Sequence, residues 1–151
     1  MSASQDIENI KLAAAERARQ MKLPYAGALT PAEAHALMQA GARLVDVRTG
    51  PELVYVGRVP GSLEVEWQTY PGNQQNPEFL RQLAQLAKPE DTLMFLCRSG
   101  VRSHYSAMAT TQAGWRESYN VLEGFEGDRD TGQHRSTVGG WRRAGLPWVQ
   151  G

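Results

Sequence analysis

Apolar positions along this chain change their spacing several times, and each change marks an element. Between residues 5 and 22, Ile7, Ile10, Ala14, Ala18 and Met21 recur at three and four, the interval that lines one helix face. Pro24 ends the run. So weak a stripe suits a helix laid on the outside of a domain, or a contact between two copies. Thr30, Pro31 and Glu33 then open a second helix, as a Thr-x-x-Glu capping box with proline at the first helical position. Gly41 stops it. Residues 43–47 (RLVDV) read as a short strand. Gly50-Pro51 breaks the chain, residues 52–56 form a turn or short helix, and Pro60-Gly61 breaks it again. Leu63, Val65 and Trp67 alternate with Glu64, Glu66 and Gln68, the pattern of a half-buried strand. Asn76 and Pro77 open a third helix with an apolar face of Phe79, Leu80, Leu83 and Leu86, which Pro89 ends.

The segment from Thr92 to Leu96 is apolar between polar flanks, as a strand covered on both faces should be. Residues 98–102 are polar, and from Ser103 to Gly114 the spacing turns helical. Ser118 to Leu122 is a further strand. Residues 123–140 form a long glycine-rich loop, and Trp141 to Ala144 a last helical turn. Strands alternating with helices predict an α/β domain with a mainly parallel sheet. The N-terminal helix, residues 1–24, reads as an extension on a domain spanning residues 25–151.

Charge narrows the function classes. Sixteen basic and sixteen acidic side chains cancel, which disfavours a general nucleic-acid binder. Thirteen of the sixteen cations are arginine, the side chain whose planar fork suits oxyanions. One cysteine, Cys97, leaves no intrachain disulfide and no cysteine-cluster zinc site, and the histidines at 35, 104 and 134 lack metal-ligand spacing. The longest apolar run is five residues, 93–97, too short to cross a membrane. The first ten residues carry Asp6 and Glu8 and do not read as a secretory signal. A cytoplasmic protein with a free thiol is the expectation.

Cys97 follows the most apolar strand, and open α/β sheets bind ligands beyond the carboxyl ends of their strands. The loop Cys97-Arg98-Ser99-Gly100-Val101-Arg102 then feeds a helix start at Ser103. A helix N-terminus offers unpaired N–H groups and a partial positive charge. A short loop can aim several amides inward as an anion nest, and Arg98 and Arg102 add two guanidinium charges. All three favour a thiolate, so Cys97 is expected to be an exposed nucleophile beside an anion cradle. A free cysteine taken alone is more often a buried structural thiol, and Arg98 and Arg102 can each also be read as plain surface residues. Ser99 and Ser103 can act at once as turn or cap residues and as anion donors. Asp46 lies in an otherwise apolar strand and needs a partner, with Arg48 close by for an ion pair or for substrate. His104 reads as a surface residue of the first helical turn, or one near the thiolate.

These segments, from about Thr30 to Trp148, resemble the single-domain rhodaneses, of the rhodanese and cell-cycle phosphatase superfamily. Leu44 to Arg48 is similar to the family's first core strand. Glu52 with residues 57–62 (GRVPGS) is similar to its glutamate followed by Gly-His-Ile-Pro-Gly-Ala. Residues 97–103 resemble its catalytic loop, and residues 120–124 and 141–147 its closing segment. The resemblance implies a three-layer rhodanese-like domain, its mainly parallel sheet flanked by helices. It implies Cys97 as the catalytic residue, Arg98, Ser99, Gly100, Val101, Arg102 and Ser103 as substrate-binding residues, and Asp46 and Arg48 as supporting ones. The chemistry implied is sulfur transfer through a Cys97 persulfide. Thiosulfate or a persulfide gives the sulfur, and cyanide or a cellular thiol takes it. Neither metal nor organic cofactor is implied. With one cysteine the acceptor must come from outside, and a sulfur-relay protein is a further class of partner. The first alternative is a persulfide carrier loaded by a partner. A cysteine-dependent phosphatase or arsenate reductase comes second. The family's phosphatases use a loop one residue longer, which would require arginine where Ser103 stands.

Three features depart from the family pattern. Arg58 replaces its histidine, with a direction the sequence leaves open. Phe125 follows Gly124 in place of a second glycine. The stretch 126–140 is longer than in compact members, and it is either a solvated loop or a wall of the site mouth.

Overall fold

The computed structural model describes residues 3–151; residues 1 and 2 of the expected extension lie outside the described residues. In chain order the elements are α1 (Ala3–Met21), β1 (Gly27–Leu29), α2 (Pro31–Gln39), β2 (Arg43–Asp46), a π-helical turn (Glu52–Val56) and β3 (Leu63–Glu64). There follow a small hairpin of β4 (Gln68–Thr69) and β5 (Gln74–Gln75), then α3 (Phe79–Ala84), β6 (Leu93–Leu96), α4 (Val101–Gln112) and β7 (Ser118–Val121). The main sheet runs β1-β7-β6-β2-β3, and each of its pairings is parallel. Helices cover both faces, giving the α/β three-layer arrangement expected from the sequence.

Strand periodicity sorts the core into two halves. On one face Leu44, Met94, Leu96, Tyr119 and Val121 pack with Ala14 of α1, Ala34 and Leu37 of α2, and Phe125 and Trp141. On the other, Val45, Val47, Leu93, Phe95 and Cys97 pack with Phe79 and Leu83 of α3 and Ala107 of α4. The β6 side chains 93–96 are all buried, so this strand is central and dry on both sides. That placement aims the chain leaving β6 at the middle of the sheet's carboxyl edge.

Local chemistry explains the caps. Thr30 Oγ1 accepts from the Glu33 amide at 3.2 Å, and Glu33 Oε1 accepts from the Thr30 amide at 3.0 Å. Arg17 of α1 forks onto the same carboxylate at 2.6 and 3.0 Å, tying α1 to the start of α2.

Some elements differ from the sequence reading. The third helix does not begin at Asn76. Its side chain accepts from the Glu78 amide and donates to the Glu66 carbonyl, which holds residues 76–78 in a turn and delays the helix to Phe79. The strand expected through Trp67 is regular only over Leu63–Glu64. Pairing with β2 nevertheless continues through Val65 N–H to the Asp46 carbonyl and Trp67 N–H to the Val47 carbonyl. Two features went unpredicted: β1, three residues long, and the β4–β5 hairpin.

Gly27 sits where α1 crosses β1. A Cβ there would lie 2.7 to 2.8 Å from the Ala14 backbone and Cβ, far inside van der Waals contact. Gly27→Ala is expected to cost about 1–3 kcal/mol through this overpacking and to lower hydrogen-exchange protection along α1. Urea unfolding and exchange measurements check it; a variant with unaltered midpoint and protection would mean that α1 does not press on β1.

Candidate functional site

The polypeptide leaves β6 at Leu96 and re-enters regular structure at Val101, the first residue of α4. Gly100 makes the bend with φ of 113°, a conformation that a Cβ strains. The turn carries the Gly100 N–H to 3.1 Å from Cys97 Sγ. Of the amides of residues 98–103 expected to face the sulfur, Gly100's is the one hydrogen-bonded to it. Cys97 is 1% exposed, against the expectation of an exposed thiol. The end of β6 is covered by α4 and by residues 124–126, so the thiol contributes only to the floor of a cleft.

A polar frame surrounds that floor. Ser103, fully buried, lies 3.2 Å from Sγ and donates to Asn120 Oδ1 of β7 at 2.6 Å. One hydroxyl has one proton. While it serves Asn120, Ser103 can only accept from the Cys97 thiol, and once turned toward Sγ it donates to a thiolate. Asn120 Nδ2 also donates to the Gly100 carbonyl at 3.2 Å, so β7 holds both ends of the loop. Nearby, the Tyr25 hydroxyl lies 2.7 Å from His104 Nδ1 in the first turn of α4.

Behind the loop, Phe125 N–H donates to the Cys97 carbonyl at 2.8 Å and Glu126 N–H to the Arg98 carbonyl at 3.0 Å. This approach is close enough that a Cβ on Gly124, at φ of 67°, would meet the Arg98 carbonyl at 2.5 Å. Phe125 carries Arg48 over its ring, with Cζ 4.2 Å from the centroid. Arg48 is itself fully buried against Asp46, at 2.7 to 3.2 Å through Nε and Nη2, and donates to the Gly57 carbonyl. Asp46 and Arg48 thus underpin the loop without lining the cleft.

The cleft has a volume of about 840 Å³. Of the loop residues named from the sequence, Cys97, Arg98, Ser99, Val101 and Arg102 line it. Gly100 and Ser103 touch the sulfur from behind. Arg98 and Val101 are exposed. Arg102 is not free: its two Nη atoms donate to the Glu52 carboxylate at 2.7 and 2.9 Å. Burial opposes ionisation of Glu52, yet the Arg102 fork and two donors from Thr49 outweigh it and hold this carboxyl at about 2. The remaining wall comes from Tyr55, Trp67 and Tyr70, from Tyr105 on α4, and from Glu126 and Arg135. The stretch 126–140 therefore supplies part of the mouth. Arg58 points away from it, pairing with Val149 through its backbone and with Glu64 through its side chain.

Sequence reasoning missed the Glu52–Arg102 pair, Asn120's double contact and the tyrosine wall. The pair joins residues far apart in the chain, and the tyrosines come from segments without a shared period. Among the described residues, no cluster of three or more His, Cys, Asp or Glu is placed to hold a metal, and no helix is long and apolar enough to cross a membrane.

Comparisons with known proteins converge on this architecture. A family model described as "Rhodanese-like domain" matches residues 30–130. An Arabidopsis thaliana protein named thiosulfate sulfurtransferase 18 is 31% identical over 62% of this chain and 71% of its own. An uncharacterized protein of Rickettsia prowazekii is 32% identical over 74% of this chain and 86% of its own. The crystal structure of Rv0390 from M. tuberculosis superposes with a TM-score of 0.77 at 41% identity, over 84% of this chain and 99% of that one. The polysulfide-sulfur transferase homodimer of Wolinella succinogenes, 18% identical over 97% of this chain and 86% of that one, shares the fold with a TM-score of 0.57.

Two stability outcomes follow from the buried charges. Asp46→Ala strands the Arg48 guanidinium and should cost about 3–5 kcal/mol; adding Arg48→Met should recover a large part, and denaturant titration of both variants checks this. Glu52 is held below its ordinary 4.5, so its contribution is whole above that pH and is lost as the pH falls toward about 2. Wild type should therefore exceed Glu52→Gln by roughly 1–3 kcal/mol near neutrality, with the gap closing in acid. A gap independent of pH would show that the ion pair does not stabilise the fold.

Proposed function

This chain belongs to the rhodanese-like domain family, and on that premise we propose that it is a sulfurtransferase working through a Cys97 persulfide. The observation that carries the reading is a lone cysteine at the end of the central strand, facing a cleft and bonded by the Gly100 amide. The Cys97 thiolate attacks the outer sulfur of thiosulfate or of a persulfide. The donor's S–S bond breaks, and sulfite or a thiolate leaves with the electron pair. Charge then rests on the terminal sulfur, beside the N-terminus of α4, where unpaired N–H groups stabilise anions. An external acceptor, cyanide or a cellular thiol, attacks that sulfur and returns Cys97 as thiolate. Ser103 steadies the sulfur in both halves by turning its proton toward the thiolate. The other loop residues, Arg98, Ser99, Val101 and Arg102, contact the donor from the cleft side.

Sulfur transfer fits this loop better than phosphate-ester hydrolysis. Arg102 closes a loop of six residues counted from Cys97, and its fork is occupied by Glu52. A free thiol without a disulfide partner suits a reducing compartment such as the cytoplasm. A single cysteine also requires that the acceptor, a small thiol or a sulfur-relay protein, come from outside.

Brief treatment with excess sulfane-sulfur donor should add one sulfur, about 32 Da, to the intact mass, and Cys97→Ser should take up none. Cyanide should then strip the sulfur as thiocyanate in one equivalent. Full thiocyanate production by Cys97→Ser would end the proposal.

A further inference from the structure

Two buried acceptors compete for the single hydroxyl proton of Ser103. Its oxygen lies 3.2 Å from Cys97 Sγ and 2.6 Å from Asn120 Oδ1. Ser103 is fully buried and Asn120 nearly so. The orientation of Asn120 decides where the proton rests. Its Nδ2 donates to the Gly100 carbonyl at 3.2 Å, and a carbonyl can only accept. The side-chain amide is therefore turned with its nitrogen toward the loop and its oxygen toward Ser103. The sheet fixes the backbone beneath it, with Asn120 in register with Ala28 on one side and Phe95 on the other. With its proton on Asn120, the Ser103 oxygen accepts from the Cys97 thiol.

Ionisation reverses this arrangement. A thiolate has no proton to give, so Ser103 must swing its own from Oδ1 to Sγ. Persulfide formation reverses it again. The charge moves to the terminal sulfur on the cleft side, and Sγ, next to Ser103, becomes a neutral bridging sulfur. The hydroxyl proton can then return to Asn120.

Resting on the sulfurtransferase reading, we infer that Asn120 is a positioning residue for sulfur transfer: it competes with Sγ for the Ser103 proton and so favours the two uncharged states of Sγ, thiol and persulfide, over the thiolate between them. This competition makes Sγ a stronger nucleophile toward the donor and a poorer leaving group toward the acceptor. In the second half, the acceptor attacks the terminal sulfur, the S–S bond breaks and Sγ takes the electron pair. The Ser103 proton turns from Asn120 to meet that charge, and no oxidant is needed.

A double-mutant cycle of Asn120→Ala and Ser103→Ala isolates the coupling. Other charged and titratable groups face the loop: Arg98 and Arg102 on it, Glu52 against Arg102, and the Asp46–Arg48 pair beneath. Tyr25 and His104 lie beside the first turn of α4, and Glu126 and Arg135 across the cleft. All are present in every member of the cycle and cancel from it. Alkylation of Cys97 by iodoacetamide is followed against pH. Asn120→Ala should raise the rate in mild acid, relative to its alkaline plateau, by about fivefold, the worth of one hydrogen bond. Persulfidated Asn120→Ala should yield thiocyanate to cyanide about twice as fast as wild type. Neither change should appear where Ser103→Ala is already present. Equal effects with and without Ser103 mean that Asn120 merely props Gly100, and overturn the inference. Wild type decides alone if the variants do not fold. In asparagine-labelled protein, the Asn120 side-chain carbonyl carbon resonance should shift as Cys97 ionises and return when it is loaded with sulfur. A resonance indifferent to ionisation, or one that stays shifted after loading, overturns the inference. If no donor loads Cys97, the sulfurtransferase reading falls, while alkylation and the ionisation shift still decide the competition for the proton.

Discussion

A parallel sheet leaves its carboxyl edge ragged, and the chain that emerges from the middle strand there must find new partners for every backbone group it exposes. The loop after β6 meets that constraint by being clamped from two sides. Residues 124–126 take the carbonyls of Cys97 and Arg98, and Asn120 takes the carbonyl of Gly100. With its outward carbonyls engaged behind it, the loop keeps its cleft side for the sulfur and the start of α4. Position and polarity of the thiol thus come from one set of hydrogen bonds.

The clamp itself needs support. Phe125 can present its amide to Cys97 because its ring is held by Arg48, and Arg48 tolerates complete burial because Asp46 neutralises it. A buried ion pair is weak evidence for stability by itself, since desolvation offsets much of the attraction. Its value here is geometric. The pair ties β2 to the segment after β7, with β6 and its cysteine between the two strands. Gly124 permits the close approach that makes the clamp short.

Legibility in the sequence followed the range of the interactions. The capping box at Thr30, the dry strand 93–96 and the polar loop after it each reside in a few consecutive residues and could be read directly. Strand β1 could not, because three residues containing a glycine show no period; it forms only because β7 offers a free edge. Helix α3 starts late because Asn76 spends its side chain on a distant carbonyl, which no local pattern records. At the site, Cys97 and its loop were visible as a contiguous motif. The pairing of Arg102 with Glu52 was not, since the two residues stand 50 positions apart and no local pattern joins them. Asp46 was legible as a charge in need of a partner, and Arg48 two residues on supplied it.

Floor and walls of the cleft therefore obey different physics. Buried, mutually satisfied groups build the floor, where shifting one member orphans another, so it resists change. The walls are side chains on the π-helical turn, the β4–β5 hairpin and the stretch 126–140, with Tyr55 and Tyr70 exposed and Glu126 and Arg135 only partly so. Glu52 stands at the boundary: it is bonded to the loop's last arginine on one side and to the Thr49 turn on the other. A change at Glu52 alters the charge of the cleft wall while the sulfur stays where the sheet puts it. Chemistry fixed by the sheet and selectivity carried by its loops can then vary independently on one fold.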